Sequence, residues 1–233
     1  GWPQNRPAPH NVPFVMLGAG ILWFGWFGFN AGSALAANGV AAQAFVNTFL
    51  AAAAGMVAWM LVELAKTGKA STIGMASGVV AALVAITPAA GFVGSMHSLV
   101  FGAVAGVICF YAIEAKFRLG FDDSLDVVGI HLVGGAVGGI LLGFMADSSA
   151  VPGGDFIDGV FFGGGVLLWN QILSIVAVAS FSFVATFVIA KVLDKVIGLR
   201  VSESTEMAGL DVSDHGEAAY VIDGGEAAYE IDG

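Results

Sequence analysis

Few residues of this 233-residue chain have side chains suited to chemistry, and several of those stand inside long apolar runs. His131 is the most conspicuous, flanked by Ile130 and Leu132. A titratable group in hydrocarbon is costly and is a candidate functional site by default. With an unperturbed pKa of about 6.5, an imidazole there could relay or orient protons, or its ring nitrogens could simply bond a neighbouring helix. Gly134 and Gly135 follow it and leave room for a narrow lumen beside the ring. Asp126 enters the same run five residues earlier, where a carboxylate suits a helix start: capping free N–H groups is its first expected role, attracting cations the second. A third cluster lies nearer the N-terminus. At 100° per residue, Trp26, Phe29 and Ser33 fall within about 60° of one another on one helical face. Aromatic faces attract cations, more strongly where water is sparse, and the Ser33 hydroxyl could accept a hydrogen bond from an N–H or O–H of a small cation held there. His97, near the start of another run, reads as an interfacial group, and Cys109 as a small core residue.

These groups need elements that cross a membrane. The chain is 58% hydrophobic and only 11% charged, against about 25% charged in soluble domains. Six long apolar segments follow one another: Val12 to Ala34, Val40 to Leu64, Thr72 to Ala90, Ser95 to Ala115, Leu125 to Ala146, and Asp158 to about Val196. Each approaches or exceeds the roughly 20 residues that span a bilayer, and the last is long enough to tilt or to continue beyond it. Trp26 lies about 21 Å along a helix that begins at Val12, too deep for an interfacial aromatic belt.

Charge sets the orientation. All eight bases (Arg6, Lys66, Lys69, Lys116, Arg118, Lys191, Lys195 and Arg200) fall on one side of a six-span arrangement. Lys and Arg are retained on the cytoplasmic side, so both ends are expected there. The net charge of -10 is uneven. Half of the acids lie after residue 200, so a nearly neutral membrane body carries an acidic tail, and nothing resembles the clustered bases of a nucleic-acid-binding protein. Residues 1–11 contain Pro3, Pro7 and Pro9 and have no short apolar signal-peptide core. Small residues four apart, such as Gly134 and Gly138 or Gly139 and Gly143, let helices pack closely in lipid; Gly159, Gly163, Gly164 and Gly165 are expected to do the same within the sixth span.

The residues Pro9-His10-Asn11, Gly25 to Ser33, Ile86 to Gly91, and Asp126 to His131 with Gly134-Gly135 resemble, in order and spacing, the ammonium transporters of the Amt/Mep/Rh superfamily, of bacterial Amt type. The resemblance extends over essentially the whole chain. It implies an all-α polytopic membrane bundle, six spans of an eleven-helix inverted-repeat fold, assembled as a homotrimer with a hydrophobic pore in each subunit. It implies that Ser33 belongs to an outer recruitment site, Phe29 to a gate of stacked phenylalanines below it, Trp26 to the pore wall, His131 to a central pair of histidines, and that Asp126 is a structural acid near the pore.

On the same basis residues 1–11 form a cytoplasmic loop, 12–146 a five-helix second repeat, 147–200 an outer loop with the last membrane helix, and 201–233 the cytoplasmic tail. The first repeat, with its own histidine, phenylalanine and recruitment tryptophan, has no counterpart here, so the chain is expected to be the C-terminal part of a longer transporter. The tail segment containing Asp214, His215, Gly216, Glu217 and Tyr220 resembles a regulatory region that contacts neighbouring subunits and PII-type signal proteins; its near-copy beginning at Gly225 does not belong to the common pattern. The substrate implied is ammonium or ammonia, with methylammonium as analogue, in a cell membrane and surrounded by lipid. Neither enzymatic activity, a cofactor nor a metal is expected. An ammonium sensor, a Rh-type gas channel and a non-conducting truncated subunit are the alternatives.

Overall fold

The computed structural model describes residues 9–218, and every regular element among them is a helix. Six principal helices follow the expected order: α1 (Val12–Gly32), α2 (Gly39–Thr67), α3 (Thr72–Ile86), α4 (Ser95–Leu119), α5 (Val133–Met145) and α6 (Val166–Val196). Two short ones, α7 (Glu203–Ala208) and α8 (Leu210–Ser213), come after them. A π-helical turn, Val128–Leu132, leads directly into α5.

Local chemistry sets the ends. Asn11, Asn38 and Ser71 accept hydrogen bonds from the backbone amides of Phe14, Ala41 and Gly74, capping α1, α2 and α3. Such caps satisfy amides that the first helical turn leaves without partners. α2 and α4 stop at Gly68 and Gly120, whose φ values of 75° and 73° close the helix in the left-handed conformation that glycine adopts freely.

By length and composition α1, α2, α4, the π-turn with α5, and α6 can each cross a membrane, whereas α3 has only 15 residues. The third apolar segment reaches Ala90 in sequence, but its helix ends at Ile86 because Pro88 has no N–H to continue the ladder. Residues 87–92 turn instead, with Ala89 N–H bonding Ile86 O and Phe92 N–H bonding Ala89 O, each at 2.8 Å. The sixth helix begins at Val166, not Asp158. Gly159, Gly163, Gly164 and Gly165 therefore lie in the preceding loop and not in a span. Gly164 is folded so tightly there that an added Cβ would stand 1.8 Å from Asp158 O.

The described residues divide into two compact units at residue 180, inside α6. In the first unit α3 is the most buried helix and α2, α4 and α5 close around it. Backbones approach without intervening side chains: a Cβ on Gly138 of α5 would stand 2.1 Å from Ala85 O of α3, and one on Gly102 of α4 would stand 2.0 Å from Ala51 O of α2. The α5 contact lies in the small-residue stripe expected from sequence, and the α2–α4 contact adds a second. Apolar packing continues around Ile86, Val93, Phe101 and Leu142. α1, by contrast, leaves Phe14, Leu17, Ile21 and Phe24 largely exposed, an apolar surface suited to lipid or to another part of a larger membrane protein. In the second unit Arg200 makes a two-point ion pair with Glu206 at 2.7 and 3.1 Å, and Ser202 caps α7.

Candidate functional site

Two places on the first unit carry the candidate residues. The first is the C-terminal half of α1. Trp26 donates its indole Nε1–H to Thr87 Oγ1 at 2.8 Å, and Thr87 in turn donates its hydroxyl to Leu83 O at 2.7 Å. The indole packs against the buried cluster of Ala52, Val79 and Leu83. Four residues later Asn30, which is buried, donates from Nδ2 to Thr48 Oγ1 at 2.9 Å. Residues four apart share a helical face, so these two polar bonds, one to the end of α3 and one to α2, together fix how α1 is rotated about its axis.

That rotation leaves Phe29 62% exposed, its ring meeting Trp26 edge to face with 6.1 Å between centroids and 74° between planes. Ser33, the residue that ends α1, is exposed and donates its hydroxyl to Phe29 O at 2.8 Å. Because its proton points back along the helix, the oxygen presents lone pairs outward as an acceptor. Trp26, Phe29 and Ser33 thus form a continuous row from a half-buried ring through an exposed ring to a polar acceptor.

The second place is the π-turn. His131 is exposed on it and makes no hydrogen bond or ring contact among the described residues. The bond to a neighbouring helix considered from sequence therefore has no counterpart there, and no bond or ring contact joins His131 to the α1 row. The turn itself is well anchored. Gly129 and Ile130 are buried, and a Cβ on Gly129 would stand 2.7 Å from Ile113 Cγ1 on α4.

Asp126 is positioned differently from expectation. It does not cap the helix; Asp123 does, accepting from Val127 N–H at 2.9 Å and Val128 N–H at 3.0 Å. Asp126 has a φ of 60° and its carboxylate is ion-paired with Lys116. The physical reason is the buried ammonium: Lys116 is only 2% exposed and also reaches the Asp123 carbonyl oxygen, and a buried charge demands a counter-charge. Periodicity cannot reveal such a pairing. Reading Lys116 only as a charge that orients the membrane span misses it, although three aspartates within five positions after α4 are a signal that the loop is structured.

His97 presents its ring edge-on to Phe162 at 5.3 Å, with Nδ1 buried and without a hydrogen-bond partner among the described residues. In the second unit Asp214 ends α8, Gly216 has a φ of 69°, and Glu217 N–H bonds Asp211 O at 3.1 Å; these residues and His215 are exposed. Tyr220 and the copy beginning at Gly225 lie outside the described residues.

Comparison with known proteins gives one consistent result. The model of the family described as Ammonium Transporter Family matches residues 3–220. An ammonium transporter of Mycobacterium tuberculosis (strain ATCC 25618 / H37Rv) is 50% identical over 224 residues, covering 94% of this chain and 47% of the relative. One from Bacillus subtilis (strain 168) is 47% identical over 214 residues, covering 91% and 52%. Among solved structures, Candida albicans Mep2 superposes with a TM-score of 0.81 at 35% identity, covering 91% of this chain and 48% of that one. A protein described as Sensor Amt Protein superposes at 0.80 with 30% identity, covering 90% and 51%. The chain spans about half the length of the curated relatives it matches.

Proposed function

Because the chain belongs to the Ammonium Transporter Family, we propose that it supplies one wall of a path that carries ammonium-derived nitrogen across a cell membrane. The observation that carries this reading is the row on α1: two aromatic rings in edge-to-face contact, ending in a hydroxyl whose oxygen is turned outward. Ammonium reaching Ser33 finds an acceptor for one N–H, and the rings of Phe29 and Trp26 offset part of the lost hydration through their quadrupoles. Further in, an uncompensated charge costs several kcal/mol. The cation therefore separates at the gate, NH4+ giving NH3 and H+. Ammonia continues along the apolar wall, and His131 orients it or takes part in relaying the proton.

In this reading Ser33 faces outside and both ends of the chain are cytoplasmic, as the distribution of bases implies. The path closes against a second wall, and three such subunits assemble in lipid. The tail around Asp214 to Tyr220 is the part that meets neighbouring subunits and PII-type signal proteins. Asp126 acts on the pore through the loop it holds.

The test is methylammonium uptake by the complete polypeptide in proteoliposomes. Flux above that of protein-free vesicles, with Ser33→Ala raising KM, is the expected result. Saturable binding without flux would replace this reading with a sensor, a possibility favoured by the likeness to the Sensor Amt Protein.

A further inference from the structure

The π-turn that carries His131 begins where three charged groups meet. Lys116, in the last turn of α4, is 2% exposed, and its ammonium contacts the Asp126 carboxylate and the Asp123 carbonyl oxygen and lies 4.0 Å from Asp123 Oδ2. The two acids do different work on the backbone. Asp123 binds the amides of Val127 and Val128, the residues that open the turn. Asp126 stands in the left-handed region at φ 60°, which a residue with a Cβ seldom adopts, and its carbonyl accepts Ile130 N–H at 2.9 Å. Local strain of this kind persists only where the surroundings over-determine it. The buried ammonium supplies that restraint from below, and the contact of Gly129 with Ile113 supplies it from the side.

The register of the turn decides where His131 points. A π-turn holds one residue more than an α-helical turn, so relaxing it would rotate His131 by about 100° relative to α5.

We infer that Lys116 is a positioning residue for His131: by holding Asp123 and Asp126 it maintains the π-helical register that turns the imidazole toward the transport path. This rests on the reading of His131 given above, but its structural part can be tested separately. In the complete polypeptide, His131→Cys introduces a thiol whose rate of modification by a small water-soluble methanethiosulfonate reports its orientation, the native Cys109 being buried. Combining it with Lys116→Met should change that rate severalfold, while a thiol introduced by Ser33→Cys keeps its rate. An unchanged rate at position 131, or an equal change at both positions, overturns the inference. Where Lys116→Met does not insert, Asp126→Asn removes the same ion pair with little change of shape and is held to the same outcomes.

Transport supplies the second arm. Lys116→Met should reduce methylammonium flux in the native background and add no further loss to His131→Ala; additive losses would show that Lys116 acts elsewhere and overturn the inference. A His131→Ala variant with normal flux would instead remove the transport role of His131, leaving the thiol measurement to decide the positioning.

Discussion

The two candidate regions are held in contrasting ways. At the π-turn, charge and strain do the work: a buried lysine and two aspartates, one of them with a left-handed backbone, all act on the few residues before His131. On α1, two neutral hydrogen bonds orient an otherwise regular helix, and the residues beyond them, Phe29 and Ser33, are exposed. Within this chain the placement of His131 is over-determined, whereas the α1 row is oriented but left open. On the proposed reading this difference fits the two tasks, because a face that must admit a cation needs access. A proton-handling group gains from a fixed direction, since catalytic and binding geometries are sensitive to displacements of about 1 Å.

Substitutions should separate the two regions by what they damage. Lys116→Ala should have the largest effect on stability, about 3 kcal/mol, because it leaves carboxylates without their buried counter-charge. That figure is at the low end for a broken buried pair, since the Asp126 side chain is 31% exposed and retains some water. Thermal unfolding in detergent measures it; a loss no greater than that of an exposed lysine such as Lys69 would break the contrast.

Thr87→Val should come next, costing about 1–2 kcal/mol by leaving the Trp26 N–H without its acceptor. The same change frees the indole, so Trp26 fluorescence anisotropy should fall with it in a variant whose other tryptophans are replaced. Asp123→Ala should cost about 1 kcal/mol, the ordinary worth of a helix cap, with hydrogen exchange accelerated at Val127 and Val128. Ser33→Ala should change stability least, within about 0.5 kcal/mol, because only a bond within its own helix is lost. On the proposed reading its effect should fall on substrate, as a raised KM for methylammonium. Should Ser33→Ala destabilise the protein while leaving KM alone, the outer row would be scaffold and not a binding face.

How legible each region is follows from the same contrast. Trp26, Phe29 and Ser33 are related by helical periodicity, so their common face can be read from spacing alone, and the structure keeps them on one continuous helix. Thr87 and Thr48, which orient that helix, lie on other helices or their ends, 61 and 18 residues from their partners, and no local pattern points to them. The clamp is hidden more completely. Lys116 belongs equally well to a count of orienting charges, and the exchange of roles between Asp123 and Asp126 depends on a backbone angle that no periodicity encodes.

The loop glycines mislead for a related reason. Apolar and glycine-rich sequence is common to membrane helices and to tight turns, and Gly159 to Gly165 form the latter. Pro88 gives a local signal that would have shortened α3 correctly. The helix order and the close packing at Gly138 are both readable, because hydropathy and small-residue spacing are the dominant constraints in a bilayer; that α3 is the partner is not.

The central claim is that nitrogen passes this wall with His131 handling the proton or orienting the ammonia. Its most direct test is methylammonium flux and accompanying charge movement in proteoliposomes containing the complete polypeptide with His131→Ala, reconstituted at matched protein density. The account predicts that flux falls sharply or that its link to charge movement is lost. Unchanged flux with unchanged coupling would contradict it.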